Sequence, residues 1–391
     1  MNDTHKTDIS FTKKGFAMRL LYIFFIFIFC TKTFAAEPEI SARAAVLTEK
    51  ESGRILWQRN ADKPMPPAST TKIMTAIVVL ENTQLDKTIT ADERAAAAPK
   101  VRMGLEKGEK LTVEQLLYAL MLQSSNDAAV ALAVGVGGSV ENFCDMMNKK
   151  AAEIGCKDTH FVTPNGLDEG DHHTTAYDMA LIAACALDNE DFVRITQTKN
   201  ISFSSNKKSY SIYNHDRFLS EYQGALGIKT GFTGKAGHCF AGAAKRDGLT
   251  LVSVVFASGW GNTGKENKWK DTKKLMNYGF ENYRYTQLTQ KGTFVRETDV
   301  TNGSKDKVKL VLGSEYGTAM LDGEKYSISC DVPTKVKAPI KNGQVLGRAD
   351  ISINGVHTAF IPIISQTEIR RLGFSDNIAK ILYIWSNIYK N

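Results

Sequence analysis

The stretch PASTTKIMTAIVVL, Pro67 to Leu80, decides how this chain is read. Pro64, Pro66 and Pro67 break the backbone just before Ser69, and Thr71 to Leu80 is apolar almost throughout, the pattern of a buried helix. Ser69 is therefore expected at a helix N-terminus. Lys72 follows one turn later on the same face, so a hydroxyl and an amine can touch. A serine hydroxyl is a poor nucleophile until a neighbour accepts its proton, and a lysine can do so only when burial or a second cation depresses its pKa. The pair predicts a nucleophile with a neutral lysine as its base. On its own the Ser-x-x-Lys spacing is a weak signal, since a plain helix cap would look the same.

Upstream, ARAAVLTEKESGRILWQRN (Ala42 to Asn60) places two apolar runs around Glu51-Ser52-Gly53-Arg54, the composition of a hairpin. Downstream, helical patterns recur at Val113 to Leu122, Asp127 to Val134, Val140 to Ile154 and Thr175 to Leu187. Ala225 to Ile228, His238 to Ala244 and Leu249 to Ala257 read as adjacent strands. The expectation is an α/β (α+β) domain with an antiparallel sheet flanked by helices, over residues 37–285. After a helix-like segment at Lys265 to Tyr283, short alternating runs separated by Gly, Asn and Pro turns predict a smaller all-β domain over 292–365. In the tail, 366–391, Ile378, Ile381, Leu382, Trp385, Ile388 and Tyr389 recur at helical spacing opposite Lys380, Ser386, Asn387 and Lys390. An amphipathic helix lying on a membrane surface is expected, with docking onto its own β domain as the competing reading.

With 391 residues and 43% apolar composition the chain can build two cores. The formal charge of +7 is partly N-terminal, and the rest is spread without a basic block interleaved with aromatics, so nucleic-acid binding finds no support. Leu20 to Cys30 (LLYIFFIFIFC) follows the N-terminal basic residues and precedes Thr33-Phe34-Ala35, with small residues where a signal peptidase reads. Residues 1–36 are read as an export signal, and Met18 offers an alternative start. A retained anchor competes with this, but the run is shorter than the ~20 residues a spanning helix needs. Cys144, Cys156, Cys185, Cys239 and Cys330 fit neither a disulfide framework nor a zinc site and are read as buried structural thiols. No His-Glu-x-x-His or Cys-x-x-Cys spacing occurs, and neither a metal nor another cofactor is expected. His172 and His173 are read as ordering the loop after Asn165-Gly166. His238 and Cys239 point to opposite faces of a strand, which argues against a Cys-His pair.

Two more elements give Ser69 and Lys72 a context. Ser124-Ser125-Asn126 is a polar interruption between two apolar helices. Lys229-Thr230-Gly231 ends the apolar strand ALGI and precedes Phe232, so a cation and a hydroxyl project beside a glycine on a strand that can pair with an extended substrate. Ser-x-x-Lys, a Ser-x-Asn element and Lys-Thr-Gly, in that order, are the signature of penicillin-binding proteins and class A β-lactamases. With FVTPNGLD (Phe161 to Asp168) and the HHTTAYD that follows, the chain resembles the low-molecular-mass D-alanyl-D-alanine carboxypeptidases over roughly residues 40–365, and KAPIKNGQVLG resembles the β-rich C-terminal domain of that group.

The resemblance implies a penicillin-binding, β-lactamase-like fold and a serine hydrolase that removes the terminal D-alanine from peptidoglycan stem peptides ending in D-Ala-D-Ala. β-Lactam antibiotics would be its covalent inhibitors. It implies Ser69 as acylated nucleophile, Lys72 as general base, Ser124 and Asn126 as proton relay and substrate-amide contacts, and Lys229 with Thr230 facing the substrate carboxylate. Gly231 leaves the strand open, and the Ser69 and Phe232 amides would form an oxyanion hole. The expected location is the extracytoplasmic face of a bacterial membrane, held peripherally by the tail. Thr250 stands where some members place an arginine. A β-lactamase, a D,D-endopeptidase and a non-catalytic lactam sensor are the alternatives; the first needs a deacylating carboxylate that Asp168 and Glu169 do not supply in the lactamase arrangement.

Overall fold

The computed structural model describes residues 37–388, so the expected export signal, Cys30 and residues 389–391 lie outside it. Five strands, β1 Ala44–Glu49, β2 Ile55–Arg59, β3 Ala225–Thr233, β4 Gly237–Arg246 and β5 Leu249–Phe256, form an antiparallel sheet in the order β2-β1-β5-β4-β3. The first two are the predicted hairpin. Its turn is held by the Glu49 carboxylate, which accepts from the backbone N–H groups of Glu51 at 2.9 Å and Ser52 at 2.7 Å. Side chains alternate across the sheet: Ala44 and Val46 enter one core, Ala45 and Leu47 the other. Both faces are covered, which is why β1 opens on the continuous apolar run Ala44 to Leu47.

On one face pack α1 Lys72–Asn82, α2 Val113–Leu122, α3 Asn126–Gly137, α4 Val140–Ile154 and α5 Ala176–Ala186; α6 Gly261–Asn282 covers the other. The β-branched run in α1 costs a few tenths of a kcal/mol per residue in helix propensity. Burying Ile73, Ile77, Val78 and Val79 returns roughly 1.5–3 kcal/mol each, so packing decides. The α2 helix starts at a capping box of Thr112 and Gln115, and α4 starts at the Ser139 cap and stops at Gly155, φ +95°.

The C-terminal part is all-β, but it begins at β6 Tyr283–Thr289, earlier than the expected 292. No Gly or Pro separates β6 from α6, so the sequence carries no punctuation there. The remaining strands are β7 Phe294–Thr301, β8 Lys307–Leu312, β9 Tyr316–Leu321, β10 Tyr326–Asp331, β11 Lys335–Lys337, β12 Val345–Ile353 and β13 Val356–Ser365. β6 pairs with β9, and the others form a six-stranded sheet in the order β10-β12-β13-β8-β7-β11 over a separate apolar core. This part is tied to the β1–β2 hairpin: Arg54 bonds the Ala319 carbonyl and the Glu324 carboxylate, and the Ser52 and Thr318 hydroxyls meet at 2.9 Å. The thiols need a correction. Cys144 and Cys239 are buried, but Cys156 and Cys185 are half-buried and Cys330 is exposed, because it lies on the edge strand β10.

The last helix, α7 Phe374–Ile388, leaves Phe374, Ile381, Leu382, Tyr383 and Trp385 exposed. Among the described residues no helix is long and apolar enough to cross a membrane.

Candidate active site

Ser69 lies in a short 3-10 turn, Ala68–Thr71, that leads directly into α1, so Lys72 is the first residue of the helix proper. Lys72 Nζ is 3.0 Å from Ser69 Oγ, 2.8 Å from Asn126 Oδ1 and 2.7 Å from the Asn165 carbonyl oxygen. The amine is fully buried, and burial first, then the charge of Lys229, hold its pKa well below the ordinary lysine range, against a small opposing pull from Asp127. A neutral amine has two N–H groups and one lone pair. The two carbonyl oxygens take the N–H groups, which leaves the lone pair for the Ser69 hydroxyl proton.

Asn126 is 4% exposed, and its amide is occupied at both ends. Its oxygen accepts from Lys72, and its nitrogen donates to the Pro99 and Lys100 carbonyls at 3.2 and 3.1 Å. In this structure it orients Lys72 and ties down the loop ahead of Val101. Asp127 beside it is fully buried and gathers the backbone N–H groups of Met103, Gly104 and Leu105 at 2.7–3.0 Å, fixing the same loop. Ser124 has a left-handed backbone, φ +64°, and lines the cleft with Ser69.

The opposite wall is β3, an edge strand. A Cβ at Gly231 would stand 3.0 Å from the Ser69 backbone nitrogen, tighter than ordinary van der Waals contact, so the glycine gives the nucleophile's amide its room beside the strand. Thr230, Gly231 and Phe232 all line a cleft of about 620 Å³ together with Ser69, Ser124 and Val101. Arg217, Lys265 and Lys268 give the lining its cations beside His215, whose pKa burial lowers, and among the described residues no carboxylate belongs to the lining. Lys229 lies just beneath, 2% exposed. Burial lowers its pKa to about 7, with Asp216 opposing and Lys268 adding to the shift; burial likewise lowers Lys268 to about 8.

The loop from Phe161 to Asp168 closes the base of the site. Gly166 has φ +82°, and a Cβ there would come within 1.9 Å of the Ala68 carbonyl oxygen. His172 is 5% exposed; its Nδ1 accepts from the Val162 N–H at 3.1 Å, so its Nε2 donates to Thr71 Oγ1 at 2.9 Å. Burial pushes its pKa down to about 4 and keeps it neutral, pinning the loop to the turn that carries Ser69, as the sequence reading expected of this histidine. Asp168 and Glu169 are exposed and outside the cleft lining. Cys239 is fully buried with its thiol pushed up to about 12, whereas His238 turns the other way and lines the cleft, its ring 4.4 Å from that of Phe232.

Sequence reading brought Ser69, Lys72, Ser124, Asn126, Lys229, Thr230, Gly231 and Phe232 to one place, and the fold assembles them there. It missed Lys268, Asp216 and the cleft-facing side of His238. Thr250 pairs with Lys245 at the end of β4 remote from His238, so it has no part in the site; the second cleft cation comes from α6 instead. No set of three or more His, Cys, Asp or Glu side chains among the described residues is placed to hold a metal ion.

Residues 31–259 match the D-alanyl-D-alanine carboxypeptidase family profile, and residues 283–371 match that of the penicillin-binding protein 5 C-terminal domain. The D-alanyl-D-alanine carboxypeptidase DacC of Escherichia coli is 33% identical over 90% of this chain and 91% of its own length. The D-alanyl-D-alanine carboxypeptidase DacF of Bacillus subtilis is 31% identical over 88% of this chain and 90% of its own length. Penicillin binding protein 5 from Haemophilus influenzae superposes with a TM-score of 0.74 at 29% identity, over 86% of this chain and all of that one.

Proposed function

The chain belongs to the D-alanyl-D-alanine carboxypeptidases of the penicillin-binding type, and from that premise we propose that Ser69 is the residue acylated by the stem peptide, with Lys72 as its base. The observation that carries this is the 3.0 Å approach of Ser69 Oγ to a buried lysine whose other contacts are two carbonyl oxygens.

The substrate chain lies along β3, with its terminal carboxylate toward Thr230 and the Lys229–Lys268 end of the cleft. Ser69 Oγ attacks the penultimate D-Ala carbonyl carbon as its proton passes to Lys72 Nζ. The oxyanion forms against the amides of Ser69 and Phe232, where one such donor is typically worth about 3–4 kcal/mol of transition-state stabilisation. The C–N bond then breaks, the departing D-alanine nitrogen takes the proton back through Lys72 and Ser124, and water cleaves the ester to free the shortened peptide. β-Lactams enter by the same attack but keep their leaving group tethered. That tethered group stays in the cleft beside the ester and hinders the approach of water, so their acyl-enzyme is long-lived, which separates this reading from a β-lactamase.

The protein acts outside the cytoplasmic membrane, exported by the segment at 1–36 and held at the surface by the apolar side of α7, whose Phe374, Leu382 and Trp385 face solvent. Incubation with radiolabelled penicillin followed by peptide mapping tests the assignment: label on the peptide holding Ser69 and its absence in Ser69→Ala are expected, and label elsewhere would overturn it.

A further inference from the structure

Beneath the cationic end of the cleft lies a carboxylate that the reaction above does not use. Asp216 is 8% exposed, its Oδ1 accepts from the Phe218 N–H at 2.9 Å, and its Oδ2 is buried with no hydrogen-bond partner among the described residues. That oxygen points at β3: a Cβ on Gly227 would stand 3.5 Å from it, at a register irregularity of the strand just ahead of Lys229. An ionisable oxygen left without a hydrogen bond in a buried place costs several kcal/mol unless charge nearby compensates it. The charges that act on it are Lys229 on β3 and Lys268 on α6, both largely buried.

We propose that Asp216 is a positioning residue for the reaction, which holds Lys229 and Lys268 as cations aimed at the terminal carboxylate of the substrate. This rests on the carboxypeptidase reading and deepens it. Its other charged neighbours cannot serve that purpose. His215 and Arg217 flank it in the chain, Arg217 is engaged by Glu221 and Glu266, and Lys265 and His238 add only positive or neutral groups on the cleft side. Asp216 acts on both lysines, whereas Glu266, paired with Arg217, acts on Lys268; being outside the cleft lining, Asp216 supports their charge without repelling the incoming carboxylate.

The effect has a definite sign. Burial lowers the pKa of both lysines, to about 7 for Lys229 and about 8 for Lys268, and the Asp216 charge opposes that fall in each. Burial first, opposed by the Phe218 N–H bond and then by the charges of Lys229 and Lys268, places Asp216 itself at about 7. Below that pH the carboxyl is neutral and its removal changes little; above it, removal lets Lys229 and Lys268 lose their protons sooner. Lys229 also helps keep Lys72 neutral, so its discharge harms both binding and the base.

The test compares the full chain with Asp216→Asn, following D-alanine release from a peptide ending in D-Ala-D-Ala across pH 5–10, beside the same peptide as its C-terminal methyl ester. The expected result is a basic limb of kcat/KM that moves down by about one pH unit for the free acid, carried by a rise in KM of about tenfold above neutrality. The two proteins should converge at the acid end, and the ester should show a far smaller KM change. Should Asp216→Asn fail to fold, Asp216→Ser, which takes less room in the same pocket, is read in the same way. An unmoved limb, or an equal rise in KM on acid and ester, would overturn the assignment of Asp216 alone. No release by the unmutated chain would overturn the carboxypeptidase reading beneath it.

Discussion

At the scale of single residues, the site depends on what surrounds one amine. Lys72 meets two carbonyl oxygens and one hydroxyl, a set that suits the neutral form and would be left incomplete by any side chain without a nitrogen there. Lys72→Met keeps the length and removes the base. Acylation of Ser69 by penicillin should slow by roughly 10²–10⁴-fold, the usual span for a general base, while the fold persists. Stopped-flow labelling would measure it, and a rate within a few-fold of the parent would remove Lys72 from its role. Asn126 illustrates a limit of reading residues in a row. The Ser-x-Asn spacing marks it as functional, but only the fold shows its amide spent on Lys72, Pro99 and Lys100. Lys268 carried no sequence signal at all, since it sits in a 22-residue helix rich in lysine where one more cation looks like a solvated face.

At the scale of elements, the site is a turn wedged between an edge strand and a loop, and glycines set the clearances. Gly166→Ala forces a side chain into the Ala68 carbonyl at a backbone conformation that L residues avoid, φ +82°. A loss of at least about 1–3 kcal/mol is expected from the backbone alone. Denaturant titration reads it, and an unchanged midpoint would show that the loop and the turn are not in contact. His172 adds a pH dependence to the same contact. Its folded pKa of about 4 lies below the ordinary 6.5, so the unfolded chain binds the proton first. Its contribution is complete above pH 6.5 and is lost as pH falls toward 4, by about 3 kcal/mol at most. Replacing His172 by glutamine should flatten the stability profile in that window; an unchanged slope there would contradict the neutral, buried ring. The helices and central strands were legible because their apolar periods are long and their caps conventional. The join of α6 to β6 was not, because a helix runs into a strand with no turn residue between them.

At the scale of the whole molecule, the three-layer part that carries the cleft is followed by an all-β part and the helix α7. Removing the chain from Asp376 onward should leave D-alanine release unchanged and move the protein from the membrane to the soluble fraction, since α7 shares no residue with the cleft. Membrane retention after truncation would send the anchoring role elsewhere. The division itself was legible from the change to short alternating runs after α6, and the tail from its helical spacing. What the sequence could not show is how the parts are fastened: the Arg54 bonds to Ala319 and Glu324 join residues too far apart in the chain for any local pattern to connect.

The central claim is that a single hydroxyl carries the reaction. Release of D-alanine from a muramyl pentapeptide ending in D-Ala-D-Ala, measured for the mature chain and for Ser69→Ala, tests it most directly. Release by the first and none by the second is the predicted result; equal release by both, or none by the mature chain while penicillin still labels Ser69, would contradict it.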